Sequence, residues 1–285
     1  MTTPNAQQHI DTQRRDWNRV APAWEKWDRL LDENLAFINY RLVGDARLRP
    51  GQRVLDLGSG TGYPAVLSAQ AVGSRGEVVG LDVAEDMLEV ARRKAKALGL
   101  ANVTFRPTDV TTLPFDAGAF DAVISRFCLM FLPDVPKAVA EIARVLKPGG
   151  YVAAAVWSSP DKNPFILASI NVIKTLTEVP TPAPDQPGIF RLAKPGDLLG
   201  MMTHAGLTAL ADEEVTAESP FASSQEFLDN LLDIAAPIQN LMAKLTPVQQ
   251  ETAKVGIKRA VEPYRRGTGV ALPMAIRVVT ARKPV

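Results

Sequence analysis

The run Val54-Leu55-Asp56-Leu57-Gly58-Ser59-Gly60-Thr61-Gly62-Tyr63-Pro64-Ala65 constrains this chain more than any other stretch. Apolar residues over 53–57 read as a buried strand. Three alternate glycines then let the backbone turn sharply and come close to a ligand, and a helix starts near Pro64. The spacing is G-x-G-x-G. Tyr63 stands where a dinucleotide-binding G-x-G-x-x-G has its last glycine, and Asp56 sits at the strand tip before the turn. An acidic residue there disfavours a pyrophosphate at the helix N-terminus and favours a positively charged group, such as the ammonium of an amino acid.

The pattern that follows is regular. Residues 76–81 form a strand ending in Asp82, 84–98 have helical periodicity, and 102–105 form a third strand closed by Asp109. Residues 119–125 predict a fourth strand, 135–146 a helix and 151–157 a fifth strand after the turn Lys147-Pro148-Gly149-Gly150. Strands alternating with helices imply an α/β fold, a doubly wound and mostly parallel sheet of seven strands, Rossmann-like in plan. Such sheets bind ligands beyond the carboxyl ends of their strands, which directs attention to Asp56, Asp82, Asp109, Ser125 and Arg126.

The flanks differ. Residues 1–12 read as a disordered lead. Trp17, Val20, Trp24, Trp27 and Leu31 then recur at steps of three and four, a helical stripe that Pro22 kinks or restarts. A second helix is predicted from Asn34 through Leu35, Ile38 and Leu42. After residue 157 come a helix over 164–176, a loop over the sheet rich in proline (Pro180, Pro182, Pro184, Pro187), a helix over 195–205, a sixth strand over 207–219, two or three helices over 224–263 and a last strand over 270–281. The division implied is an N-terminal helical segment (1–48), a ligand-binding domain (49–220 with 268–285) and a helical cap insertion (221–267).

The 285 residues are 46% hydrophobic and carry a net charge of +1, with 32 basic side chains against 31 acidic ones. No basic surface for nucleic acid is indicated. The lone cysteine, Cys128, rules out an internal disulfide and a multi-cysteine zinc site, and no metal is expected. No window approaches the ~20 apolar residues of a membrane span and no signal core is present, so the expected location is the cytoplasm.

With Asp56, Asp82 and Asp109 at intervals of 26 and 27 residues, and with Phe120-Asp121-Ala122-Val123 and Arg144-Val145-Leu146-Lys147-Pro148-Gly149-Gly150 in register, residues 53–157 resemble class I S-adenosylmethionine-dependent methyltransferases. The small-molecule branch is the nearest in pattern, including quinone-biosynthesis C-methyltransferases. The resemblance implies that S-adenosylmethionine is the cofactor. Asp56, Gly58, Ser59 and Gly60 would lie at its methionine end, Asp82 would accept from both ribose hydroxyls, and Val83 and Met87 would flank the adenine. Asp109 and Val110 would read the adenine edge, while the Ser125 carbonyl would face the ammonium.

The implied reaction is in-line transfer of a methyl group to a small-molecule acceptor in an apolar capped pocket. Its alternatives are a cofactor-binding sensor or partner subunit without transfer activity, and an NAD(P)-dependent oxidoreductase, against which Tyr63 counts. Pocket candidates are Trp24, Trp27, Tyr40, Tyr63, Arg126 and Phe190. Arg126 either clamps an anion or pairs with a nearby carboxylate. Asp121, at the far end of its strand, reads as structural, and so do His9, His204 and Cys128. The acceptor, the atom methylated and the oligomeric state are not written in the sequence.

Overall fold

The structure, a computed structural model, describes residues 4–179 and 186–285. Two helices lead, α1 (Pro4–Lys26) and α2 (Asp28–Asp45). The alternating section then runs β1 (Arg53–Leu57), α3 (Ala65–Val72), β2 (Glu77–Asp82), α4 (Glu85–Ala97), β3 (Val103–Pro107), β4 (Phe120–Arg126), α5 (Val135–Val145) and β5 (Leu146–Trp157). It continues with α6 (Pro164–Lys174), α7 (Asp197–His204) and β6 (Thr208–Phe221). Helices α8 (Ser224–Ile234), α9 (Ala236–Met242) and α10 (Pro247–Ala260) precede the two-residue β7 (Arg265–Arg266) and β8 (Gly269–Arg282).

The sheet order is β3-β2-β1-β4-β5-β8-β6, with β7 pairing on β8. The first five strands are parallel, and β8 runs antiparallel to both β5 and β6. The seven predicted strands form the main path; β7 adds an eighth. Strand order reverses between β1 and β4, which opens a crevice at their carboxyl ends.

Strands β1 and β2 are buried on both faces, which accounts for their unbroken apolar runs. Leu55, Leu57 and Val123 pack toward α5 and α7, whereas Val54, Ala122 and Ile124 pack toward α2, α3 and α4. Strand alternation therefore puts Asp56 and Arg126 on the α2 face, one on each side of the switch point. A third core joins α6 to α8 and α10 through Ile173, Phe227, Leu231 and Ile257.

Three expectations about the flanks are corrected. Residues 4–12 are not a loose lead: α1 begins at Pro4, Ile10 is buried, and the His9 ring shares a hydrogen bond with the Phe131 carbonyl oxygen (Nε2 to O, 2.9 Å). Pro22 does not restart the helix, which runs on through it to Lys26. The second helix starts at Asp28 rather than Asn34; Asn34 sits inside it and donates to Ser219 Oγ (2.8 Å), tying α2 to β6. Pro180, Pro182 and Pro184 lie outside the described residues, while Pro187 is half-buried beside Gly188, whose N–H donates to the Met130 carbonyl.

Candidate active site

The glycine turn is fastened to the neighbouring strand tip. The N–H groups of Gly58 and Ser59 both donate to the Leu81 carbonyl (2.8 and 2.9 Å), and the Gly60 N–H donates to Asp82 Oδ2 (2.9 Å). The other Asp82 oxygen accepts from the Ala84 N–H at the start of α4 (2.9 Å). Burial raises the Asp82 pKa, opposed by these backbone amides. Each oxygen retains lone-pair capacity for a further donor.

Gly58 and Gly60 both have positive φ, +70° and +51°, yet their surroundings differ. A Cβ on Gly58 would fall 2.3 Å from the Cβ of Cys128, whereas one on Gly60 would meet nothing within 4 Å. The first glycine is required by packing. The second faces open space.

At the third tip, Asp109 is used locally: its oxygens accept from the Thr111 N–H (2.9 Å) and Thr111 Oγ1 (2.6 Å), closing the turn after β3, with Val110 buried beside it. Of the two apolar residues expected to flank an adenine, Val83 is half-buried, and Met87 is 2% exposed in a cluster with Val20, Ala21, Ala84 and Ala236 beneath α1. Ser125 is buried and its hydroxyl donates to the Leu57 carbonyl, lacing β4 to β1 (3.0 Å).

Between the β1 and β4 tips and α2 lies a buried layer of charge. Asp56 is fully buried, and neither of its carboxylate oxygens accepts a well-formed hydrogen bond, although the Ala65 N–H at the start of α3 is near enough to favour its charge. Burial pushes its pKa up to about 7, although the nearby Arg126 pulls it down. Arg126 has no carboxylate within ion-pairing distance among the described residues; its Nη1 donates to Asn39 Oδ1 (2.7 Å), and burial lowers its pKa. The ion pair considered for Arg126 is therefore not formed. Asn39 is 1% exposed, and its amide donates to Asp32 Oδ1 (3.2 Å). Lys94 Nζ binds Asp28 (2.5 Å) and lies 3.9 Å from the centre of the Tyr63 ring. Burial, with Asp32 and Asp28 beside it, pushes the Tyr63 phenol up to about 12.

The aromatic candidates separate. Tyr40 is corrected: it is 65% exposed on the outer side of α2, because the buried stripe of that helix runs through Leu35, Ile38, Asn39 and Leu42. Trp24 and Trp27 latch α1 to the helices after β6, donating to the Ile234 carbonyl (3.2 Å) and to Asp233 Oδ2 (2.8 Å). Phe190 is half-buried in the turn after Gly188. Phe127, Trp157 and Phe165 were not singled out from the sequence. Phe127 follows Arg126 in the left-handed region (φ +56°) and stacks on Trp157 with centroids 4.3 Å apart and rings 3° from parallel; Trp157 in turn meets Phe165 at 4.8 Å. Nothing in a residue type announces a left-handed phenylalanine, and such strain clusters at ligand sites.

Residues 54–150 match the family model described as a methyltransferase domain. A demethylmenaquinone methyltransferase from Thermus thermophilus is 40% identical over 151 residues, covering 52% of this chain and 67% of that protein. The chain belongs to the S-adenosylmethionine-dependent methyltransferases. An aklanonic acid methyltransferase from a Streptomyces species is 39% identical to this methyltransferase over 127 residues, or 45% of this chain and 58% of that protein. This methyltransferase thus spans about half to two thirds of the length of the curated relatives it matches. Among solved structures, the [4+2]-cyclase SpnF aligns with a TM-score of 0.56 at 22% identity, over 94% of this chain and 96% of that one, a likeness of fold. Among the described residues no helix is long and apolar enough to cross a membrane.

Proposed function

We propose that the chain transfers the methyl group of S-adenosylmethionine to a planar small-molecule acceptor held between the β4 and β5 tips and α2, with α8–α10 acting as the cap. The observation that carries this reading is the fully buried, unpartnered carboxylate of Asp56 beside a glycine turn stapled to Asp82. A buried anion without a partner is costly, and an ammonium brought to it would relieve that cost. The open space at Gly60 leaves room for the same ligand, so the residues present fit the cofactor.

In this reading Asp56 meets the ammonium, Asp82 takes the ribose diol on its free lone pairs, and Val83 with the turn at Asp109 and Val110 bounds the adenine. The cofactor supplies an electrophilic methyl on a sulfonium. The chain's task is then to hold the acceptor in line and keep water away, which can contribute roughly 7–11 kcal/mol. The stacked rings of Phe127 and Trp157, with Phe165 tilted against them, offer an apolar surface for that purpose.

Calorimetric binding of S-adenosylhomocysteine tests the cofactor half. Wild type should bind, and Asp82→Ala should bind at least about tenfold more weakly, because two charge-assisted acceptors are removed. Undiminished binding by the variant, or none by wild type, rejects the reading. Turnover with labelled cofactor on phenols, quinols, thiols and amines tests the other half; tight binding without turnover on any of them would favour the non-transferring sensor.

A further inference from the structure

The Arg126 guanidinium is held by one amide oxygen, that of Asn39, and has no carboxylate partner among the described residues. Arg presents five donors in a planar fork, so most of this fork is unspent. Its neighbours Asp56, Asp32 and Asp28 favour its charge from a distance, but among the described residues none of them pairs with it. Asp32 accepts from Asn39, Asp28 is bound to Lys94, and Asp56 lies beyond pairing distance. The next residue, Phe127, begins the aromatic wall, and its left-handed backbone turns the chain at the spot where β4 ends. Helix α2 packs across both β4 and β5, and the partly exposed Arg126, Phe127 and Trp157 lie together at the ends of those two strands.

A second fact bears on the acceptor. Among the described residues, the groups around Arg126 that could take a proton are already engaged: Tyr63 and Asn39 both lean on Asp32, Lys94 is paired with Asp28, Asp56 is the carboxylate assigned above to the cofactor ammonium, and the histidines lie elsewhere, His9 against Phe131 and His204 on α7. An acceptor that arrives already ionised needs no base.

Resting on the methyltransferase reading above, we propose that Arg126 is the receptor for the negative charge of the acceptor, which is the anion of an acidic enol, phenol or carboxylic acid carried on a flat aromatic skeleton. The unspent guanidinium fork binds the charge while the skeleton lies against Phe127 and Trp157. In the transfer step the anion's electron pair forms the new bond to the methyl carbon as the carbon–sulfur pair returns to sulfur. No proton leaves in that step.

The test uses the whole chain and two probes on one skeleton that differ by a single methyl group, 2-hydroxy-1,4-naphthoquinone, an anion at neutral pH, and its neutral 2-methoxy ether, titrated calorimetrically into protein saturated with S-adenosylhomocysteine. Wild type should prefer the anion by about tenfold or more, as expected for a buried hydrogen-bonded charge. Arg126→Gln should erase the preference and Arg126→Lys should retain part of it, with S-adenosylhomocysteine affinity within about threefold of wild type in both, a control that also reports folding. A wild type without preference overturns the proposal. So does an Arg126→Gln protein that loses S-adenosylhomocysteine but still binds 5′-methylthioadenosine, which lacks the amino-acid group, because the fork would then be reading the cofactor carboxylate. Failure of wild type to bind S-adenosylhomocysteine is a separate result, against the methyltransferase reading itself, and the probe preference is then measured on the cofactor-free protein.

Discussion

Asp56 opposes folding at neutral pH, and in the proposed site the same side chain would serve binding. Its pKa rises from an ordinary 3.8 to about 7 in the fold because of burial, so between those values the folded chain holds a proton that the unfolded chain has lost. Stability should therefore fall as pH rises from about 4 to 7 and level off above, by up to about 4 kcal/mol. Asp56→Asn should remove that slope and be the more stable protein at pH 8, which urea unfolding at several pH values would show. A cation arriving at Asp56 expels the proton, so binding of S-adenosylhomocysteine near pH 6 should have a heat that depends on the ionisation enthalpy of the buffer, and Asp56→Asn should lose that dependence. The two glycines give a second contrast. Gly58→Ala drives a Cβ into Cys128 and should cost roughly 3 kcal/mol of stability. Gly60→Ala meets no atom and should cost about 1 kcal/mol, from its left-handed φ alone, while weakening S-adenosylhomocysteine binding by more than that loss.

Among the elements, α6 is seated by one residue. Asn163 is fully buried at its N-terminus; its amide donates to the carbonyls of Ser158, Ser159 and Ala275, and its oxygen accepts from the Ala275 N–H. It joins the end of β5 to β8 and fixes Trp157 against Phe165. Asn163→Ala should destabilise by roughly 3 kcal/mol and should speed hydrogen exchange in α6 and in the middle of β8 before other parts of the sheet. Nothing in the sequence marks this asparagine, whose value lies largely in Ala275, more than a hundred positions away. The same reason hid others. The positions of Asp56 and Asp82 at the carboxyl ends of β1 and β2 were legible because each closes a short apolar run, a local pattern. Residues 4–12 looked unstructured because their helix is anchored by a distant carbonyl, that of Phe131. Tyr40 was misplaced by its chemistry when the phase of α2, set by Leu35, Ile38 and Leu42, already turned it outward. Asn39, on the buried side of that phase, was passed over because polar residues there read as exceptions.

For the molecule as a whole, the cofactor crevice proposed above would draw on β1, β2 and β4, so filling it should stiffen the centre of the sheet. At a hundred times its Kd, S-adenosylhomocysteine should contribute about 2.7 kcal/mol. In a chain of this size that should raise Tm by roughly 4–5 °C, with no comparable effect from NADH, as scanning fluorimetry would record. The alternating half of the sheet was readable as a series of local units. The antiparallel half was readable only as two closing strands, since the position of β8 between β5 and β6 depends on pairing across a long insertion. That position has a consequence for biosynthesis. Strand β6 leaves the ribosome well before β8, yet it can join the sheet only through β8, and until then β5 shows a bare edge of unpaired amides and carbonyls. Nascent chains stalled ahead of β8 should therefore be the species that chaperones hold, while chains released after it should close without assistance.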